Sequence, residues 1–316
     1  MTVVTVPTPS VADPDPGRRR SILATARVEA GRMARHPAVL IGLAAGVAQN
    51  TLGQGPEEWG GQAHYLSVTS WSFVWIGALC AAALTAGRQR ILADTELFPA
   101  TPSTPGDRVL GTALGLVGPA LLTALAVAVA AVLNAREGGF LHGDDGYSRA
   151  FTPSFFEWAQ PVLLVVMAGV VGIALAQLRR GRLVALVVAV VLVFFGGTII
   201  WAFQMHPVRV LHPFMFPSYE QSLGDTFDPA GWSVGDPPLL TPGEFESDWR
   251  AVHFDTAALG WHLVYLSGLA LLGVWIAARL ADRDERSSRI RWIAVAGLPL
   301  VLVGGVTQVL TAGVAS

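Results

Sequence analysis

Seven stretches of this chain are each apolar over nearly the length needed to cross a hydrocarbon core: residues 37–53, 66–87, 109–133, 156–177, 183–203, 256–279 and 292–314. Crossing takes about 20 consecutive apolar residues as a helix. In lipid every backbone N–H and C=O must be bonded within the segment, so such runs are helical. The third run (VLGTALGLVGPALLTALAVAVAAVL) and the fifth (LVALVVAVVLVFFGGTIIWAF) have no charged residue. The first is the shortest, cut by Gln49, Asn50 and Gly53. The expected fold is all-α, a polytopic transmembrane bundle of six to seven spans. Composition agrees: 52% of residues are hydrophobic and 14% charged, against about 25% charged in soluble domains.

Arginine placement orients the bundle. All 21 basic residues are arginine. With the N-terminal end inside and the spans alternating, the inner segments hold Arg18, Arg19, Arg20, Arg27, Arg32 and Arg35, then Arg88, Arg90 and Arg108, then Arg179, Arg180 and Arg182, and finally Arg279, Arg283, Arg286, Arg289 and Arg291. Only Arg136, Arg149, Arg209 and Arg250 fall outside. This is the positive-inside pattern of a cytoplasmic N-terminus in a bacterial inner membrane. Carboxylates lean the other way, as at Asp144, Asp145, Asp225, Asp228 and Glu244. Seven spans would end the last one outside.

The segments between the runs differ in kind. Residues 1–20 are rich in Pro, Asp and Arg and read as a disordered cytosolic tail; their arginines follow the weakly apolar part, the reverse of a signal peptide. Over 21–36, Ile22, Leu23, Ala26 and Met33 alternate with Arg27, Glu29, Arg32 and Arg35. That pattern predicts a basic amphipathic helix in the headgroup layer, its arginines in water or on lipid phosphates. Residues 204–255 form a long external segment rich in Pro, Gly, aromatic and acidic residues, too long for a structureless loop and read as a cap or re-entrant element.

Several chemistries are excluded or disfavoured. A chain without lysine has neither a Walker A phosphate site nor a Schiff-base lysine. The single Cys80 allows no intrachain disulfide and no thiolate cluster, and reads as a small hydrophobe in a helix. His142, His206, His212, His253 and His262 show no second ligand pair at metal spacing, so no metal and no cofactor is expected. No nucleophile elbow or other catalytic set is visible, and an enzyme is not expected. Ionisable side chains are nearly absent from span interiors, against a proton- or sodium-driven carrier. His262, after Trp261 and one turn from Tyr265, is the main interior candidate, and an interhelical hydrogen bond or an interface position is expected of it before a proton relay. Pro119 and Pro161 predict kinks, and Gly169, Gly172 and Gly304 predict close helix packing.

One stretch carries a more specific signal: Gly87 to Arg108, GRQRILADTELFPATPSTPGDR. It predicts a short helix over Ile91 to Phe98 and then a turn through Pro99 and Pro102. A helix and a rigid turn between two spans make a docking knob for a cytosolic partner. Thr95-Glu96-Leu97-Phe98, then Thr101-Pro102-Ser103, then Arg108 before the third span resemble the cytosolic segment of the type-2 ABC exporter permeases, the ABC-2 family. The approach Val28-Glu29-Ala30-Gly31-Arg32-Met33-Ala34-Arg35-His36-Pro37 resembles that family's amphipathic connecting helix. The order of features agrees over about residues 21–280. Three features depart from the pattern: Arg88-Gln89-Arg90 stands where the family has Arg-Glu, Pro99 interrupts the coupling helix, and a seventh span exceeds the usual six.

The resemblance implies a permease subunit without an ATP site. It would work as a homo- or heterodimer with a second permease and a separate cytosolic ABC ATPase docked on the 88–108 segment. Thr95, Glu96, Leu97, Thr101, Pro102, Ser103 and Arg108 would be the coupling residues, with Glu29, Arg32 and Arg35 on the interfacial helix. The lipid bilayer is the remaining expected partner, and no nucleic acid is expected. A non-transporting membrane scaffold or sensor, binding a ligand or partner through 204–255, is the alternative.

Overall fold

The computed structural model describes residues 16–52, 71–94, 104–136, 140–142, 149–151, 154–178, 219–221, 251–253, 256–282 and 288–313, with four isolated positions between 183 and 191. Among the described residues eight helices carry the architecture: α1 (Pro16–Ala34), α2 (Pro37–Leu52), α3 (Ser72–Asp94), α4 (Pro105–Gly115), α5 (Val117–Arg136), α6 (Phe155–Ala176), α7 (Thr256–Ala281) and α8 (Ser288–Gly313). Two short antiparallel ribbons join them, β1 (Phe140–His142) with β2 (Arg149–Phe151), and β3 (Tyr219–Gln221) with β4 (Ala251–His253). The second ribbon ties together two points of the 204–255 segment.

Among the described residues four helical stretches are long and apolar enough to cross a bilayer: Pro105–Leu133, Phe155–Ala176, Thr256–Ala281 and Ile290–Thr311. The chain is therefore a helical membrane protein. The apolar run of α2, Pro37–Ala48, is shorter. The expected span 183–203 lies outside the described residues apart from its isolated positions.

The core forms where α3, α6 and α7 meet. Val74, Ala78, Leu164, Val165, Leu259 and Leu266 are buried there. A second cluster, with Met33, Val39, Ala82, Leu116, Ile173 and Ala277, reaches toward α1 and α4. By contrast, Leu121, Leu125, Val129 and Val132 stay exposed along α5, as do Leu298, Leu302, Val306 and Leu310 along α8. Apolar residues spaced three to four apart on an open face are what lipid-facing helices require, and soluble monomers rarely show such faces.

Four sequence boundaries are corrected. α1 begins at Pro16, so Arg18, Arg19 and Arg20 are helical and do not belong to a tail; proline is well suited to a first helical position because its missing N–H would be unbonded there anyway. No separate helix starts at Ile91, because α3 runs unbroken through it to Asp94. The expected third span starts earlier, at Pro105, where Thr104 and Asp107 form a capping box. That span is also divided at Leu116. Pro119 has no N–H to offer the Gly115 carbonyl, and the chain tightens into a Leu116 N–H to Ala113 bond at 3.1 Å before α5 resumes.

Candidate functional site

Polar side chains of α1, α3 and α4 meet where these helices pack together. There α1 runs alongside α4 in the same direction. Arg18 meets Asp107, Thr25 lies over Gly111, Glu29 over Gly115 and Ala30 over Gly118. Glycines make this approach possible: a Cβ on Gly115 would lie 2.9 Å from Met33 Cε and 3.0 Å from Glu29 Cβ, and one on Gly118 would strike the Ala30 carbonyl. Thus α1 follows the length of α4 instead of crossing the helix ends. Arg20, Arg27 and Arg35 stay exposed on its far side.

Glu29 faces inward and is only 4% exposed. Its Oε1 accepts from Gln89 Nε2 at 3.0 Å and from Arg32 Nη1 at 3.0 Å. An acceptor-only carboxylate fixes the Gln89 amide with its NH2 toward Glu29. Its carbonyl Oε1 then faces Thr112, whose Oγ1 lies 2.9 Å away and 2.8 Å from the Arg108 carbonyl, sharing one proton between them. One amide therefore joins α1, α3 and α4.

A second junction lies further along α1. Arg18 Nε donates to both Asp107 carboxylate oxygens, at 2.8 and 2.9 Å, and its Nη2 stands 2.6 Å from Oδ1. Asp107 is 1% exposed and also closes the capping box, accepting from the Thr104 N–H at 3.3 Å. Beside these, Arg90 Nη1 donates at 2.8 Å to the Gln177 carbonyl, closing the C-terminal end of α6 with a cation where the helix dipole favours one.

These junctions surround residues 95–103. Gln89 precedes that segment on α3, Asp107 and Thr112 follow it on α4, and α1 grips both sides. Thr95, Glu96, Leu97, Thr101, Pro102 and Ser103 lie outside the described residues, as do Pro99 and Phe98. Arg108 is half-buried at the start of α4. Of the interfacial set, Arg32 pairs with Glu29 and Arg35 is exposed. Sequence reading missed Arg18, Gln89, Asp107 and Thr112. Thr104-Pro-Gly-Asp107, a capping box with proline at its first helical position, was the signal that α4 starts there.

On the α7–α8 pair, His262 Nδ1 and Gln308 Oε1 lie 2.9 Å apart, both fully buried, joining the two helices. An interhelical hydrogen bond is one of the two roles the sequence left open for His262. Gly304 lets α8 close on Tyr265, as the sequence anticipated. Among the described residues no group of histidine, cysteine and carboxylate side chains could hold a metal ion.

No protein-family model, curated protein or solved structure matches the chain.

Proposed function

We propose that this chain is the membrane-spanning permease subunit of an ATP-driven exporter of the ABC-2 type. It sits in the bacterial cell membrane with its N-terminal side and the 95–103 segment in the cytoplasm, and forms the pathway as a dimer. A separate ATPase subunit supplies the energy, since a chain without lysine has no Walker A site. Support comes from the resemblance at Thr95–Ser103 and Val28–Pro37 together with the arginine distribution.

The observation that carries most weight is the fastening of both flanks of 95–103 to α1. A docking segment transmits work only if its ends are held firmly to elements that continue into the membrane. Gln89 and Asp107 provide such ends, because α3 continues from one and the α4–α5 span from the other. ATP-driven approach of two docked ATPases would then bias the bundle between two packings through contacts that differ in the two states.

Co-purification with an ATPase carrying Walker motifs, followed by measurement of its stimulated hydrolysis, tests the proposal. Glu96→Ala and Arg108→Ala should each lower stimulation while leaving insertion into the membrane intact. Full coupled transport by both variants would remove the docking assignment. The scaffold or sensor reading draws on the β3–β4 ribbon, which pairs the residues on either side of 222–250. Deleting 222–250 would abolish partner capture under that reading and leave ATPase association intact under the exporter reading.

A further inference from the structure

We infer that Gln89 is a positioning residue for coupling: its amide, wedged between Glu29 and Thr112, locks α1 to α3 and α4, the helices that flank 95–103, so that the three move as one body. The inference rests on the exporter reading for what the movement does, and on the side-chain geometry alone for the lock itself.

The argument begins with the residue type. The exporter pattern has a glutamate after the arginine, and this chain has Gln89 after Arg88. The structure supplies a reason. Gln89 Nε2 is 3.0 Å from Glu29 Oε1, and Thr112 Oγ1 is 2.9 Å from Gln89 Oε1. A glutamate at 89 would set two carboxylates against each other in a place where Glu29 is 4% exposed, and like charges there repel strongly because little water screens them. An amide donates on one side and accepts on the other. A carboxylate does only the second.

The fastening is also selective. On α1 the only carboxylate is Glu29, turned inward and held by Gln89 and Arg32. The apolar contacts of α1 with α4 are mostly small, through Thr25, Ala30 and the glycines of α4, with the buried Met33 side chain beside Gly115 as a large one; they leave much of the register to the polar bonds. Those bonds are Glu29 to Gln89 at one point and Arg18 to Asp107 at another, 11 residues along α1. Two separated bonds fix the position of α1 along its axis and the direction of that axis. Beyond Ala34 the chain turns at His36 into α2, so displacement of α1 pulls on α2 directly.

The test uses the full-length chain in a Cys80→Ser background, with nitroxide labels at Arg27→Cys on α1 and Ile91→Cys on α3, both exposed positions. The parent should give one narrow interspin distance. Gln89→Glu should broaden or lengthen it, and the exchange Glu29→Gln with Gln89→Glu should restore it, because the donor and acceptor pair is rebuilt in reverse. Thr112→Val, which removes one hydroxyl at nearly constant volume, serves where Gln89→Glu does not purify, and should broaden the distance as well. An unchanged narrow distance in Gln89→Glu or Thr112→Val, or failure of the exchange to restore it in a monodisperse protein, would overturn the lock. Stimulation of the co-purified ATPase should fall about tenfold in Gln89→Glu, the scale of one lost bond to a charged group, and recover in the exchange. If the distance changes while stimulation stays at the parent level, Gln89 does not position the coupling segment. If no ATPase associates with any variant, the exporter reading fails and the distances still decide the lock.

Discussion

At the scale of single residues, burial decides which polar groups matter. His36, half-buried in the turn between α1 and α2, accepts the Ala38 N–H on Nδ1 at 3.2 Å, and burial lowers its pKa below the ordinary 6.5. In the folded chain it stays neutral at pH values where the unfolded chain already takes up a proton. Stability is therefore level above about pH 6.5 and falls as the medium is acidified below that value. His36→Asn should flatten this acid limb in detergent-solubilised melting curves recorded from pH 7.5 to 5. His262 and Gln308 present the other case, an imidazole and an amide with no water to fall back on. Gln308→Leu should lower the stability of the α7–α8 pair by about 1 kcal/mol, the scale of a hydrogen bond between membrane helices, read from unfolding in mild detergent. Gln308→Asn, whose shorter amide falls short of the imidazole, should behave nearly as badly.

At the scale of helices, small residues set how closely the elements approach. Gly118→Val places a branched side chain against the Ala30 backbone and Gly115→Leu one against Met33 and Glu29; either should lift α1 off α4. Faster proteolysis within α1, with α6 and α7 still protected, would report it, and unchanged cleavage would count against the glycine groove. Pro119→Ala returns the missing N–H to the Gly115 carbonyl and should merge α4 with α5 into one straight helix, shifting α4 against α1. Helix α8 packs on α7 alone among the described helices with extensive contact. A chain stopped at 287 should still insert and keep the α3–α6–α7 core, while His262 loses its partner.

At the scale of the whole molecule, charge geography and apolar length make the strongest statements. An impermeant thiol reagent applied to intact cells should leave Thr101→Cys unlabelled and should label a cysteine placed within 222–250, each in the Cys80→Ser background. The reverse result would invert the orientation and remove the docking proposal with it. The helical class and the ends of α6 and α7 were legible from sequence, because the bilayer requirement acts locally, whereas α3, read as 66–87, runs from Ser72 to Asp94. Phe155–Ala176 and Thr256–Ala281 fall within two residues of the runs read as 156–177 and 256–279. The division at Leu116 was signalled by Pro119, and the hydrogen bond of His262 is one of the two roles that the scarcity of polar groups around it left open.

The amino-acid order alone determined that this chain lives in a membrane as a set of helices, with its guanidinium groups gathered between particular spans. Hydrocarbon leaves an unbonded backbone no alternative, and that constraint is written residue by residue. Which helices touch, and which way Glu29 turns, was decided only by tertiary structure. Glu29, Gln89 and Thr112 are far apart in the chain, and nothing in their own neighbourhoods marks them as partners. They become one junction when glycines on α4 let α1 settle close enough for a carboxylate to lose its water and need an amide in exchange.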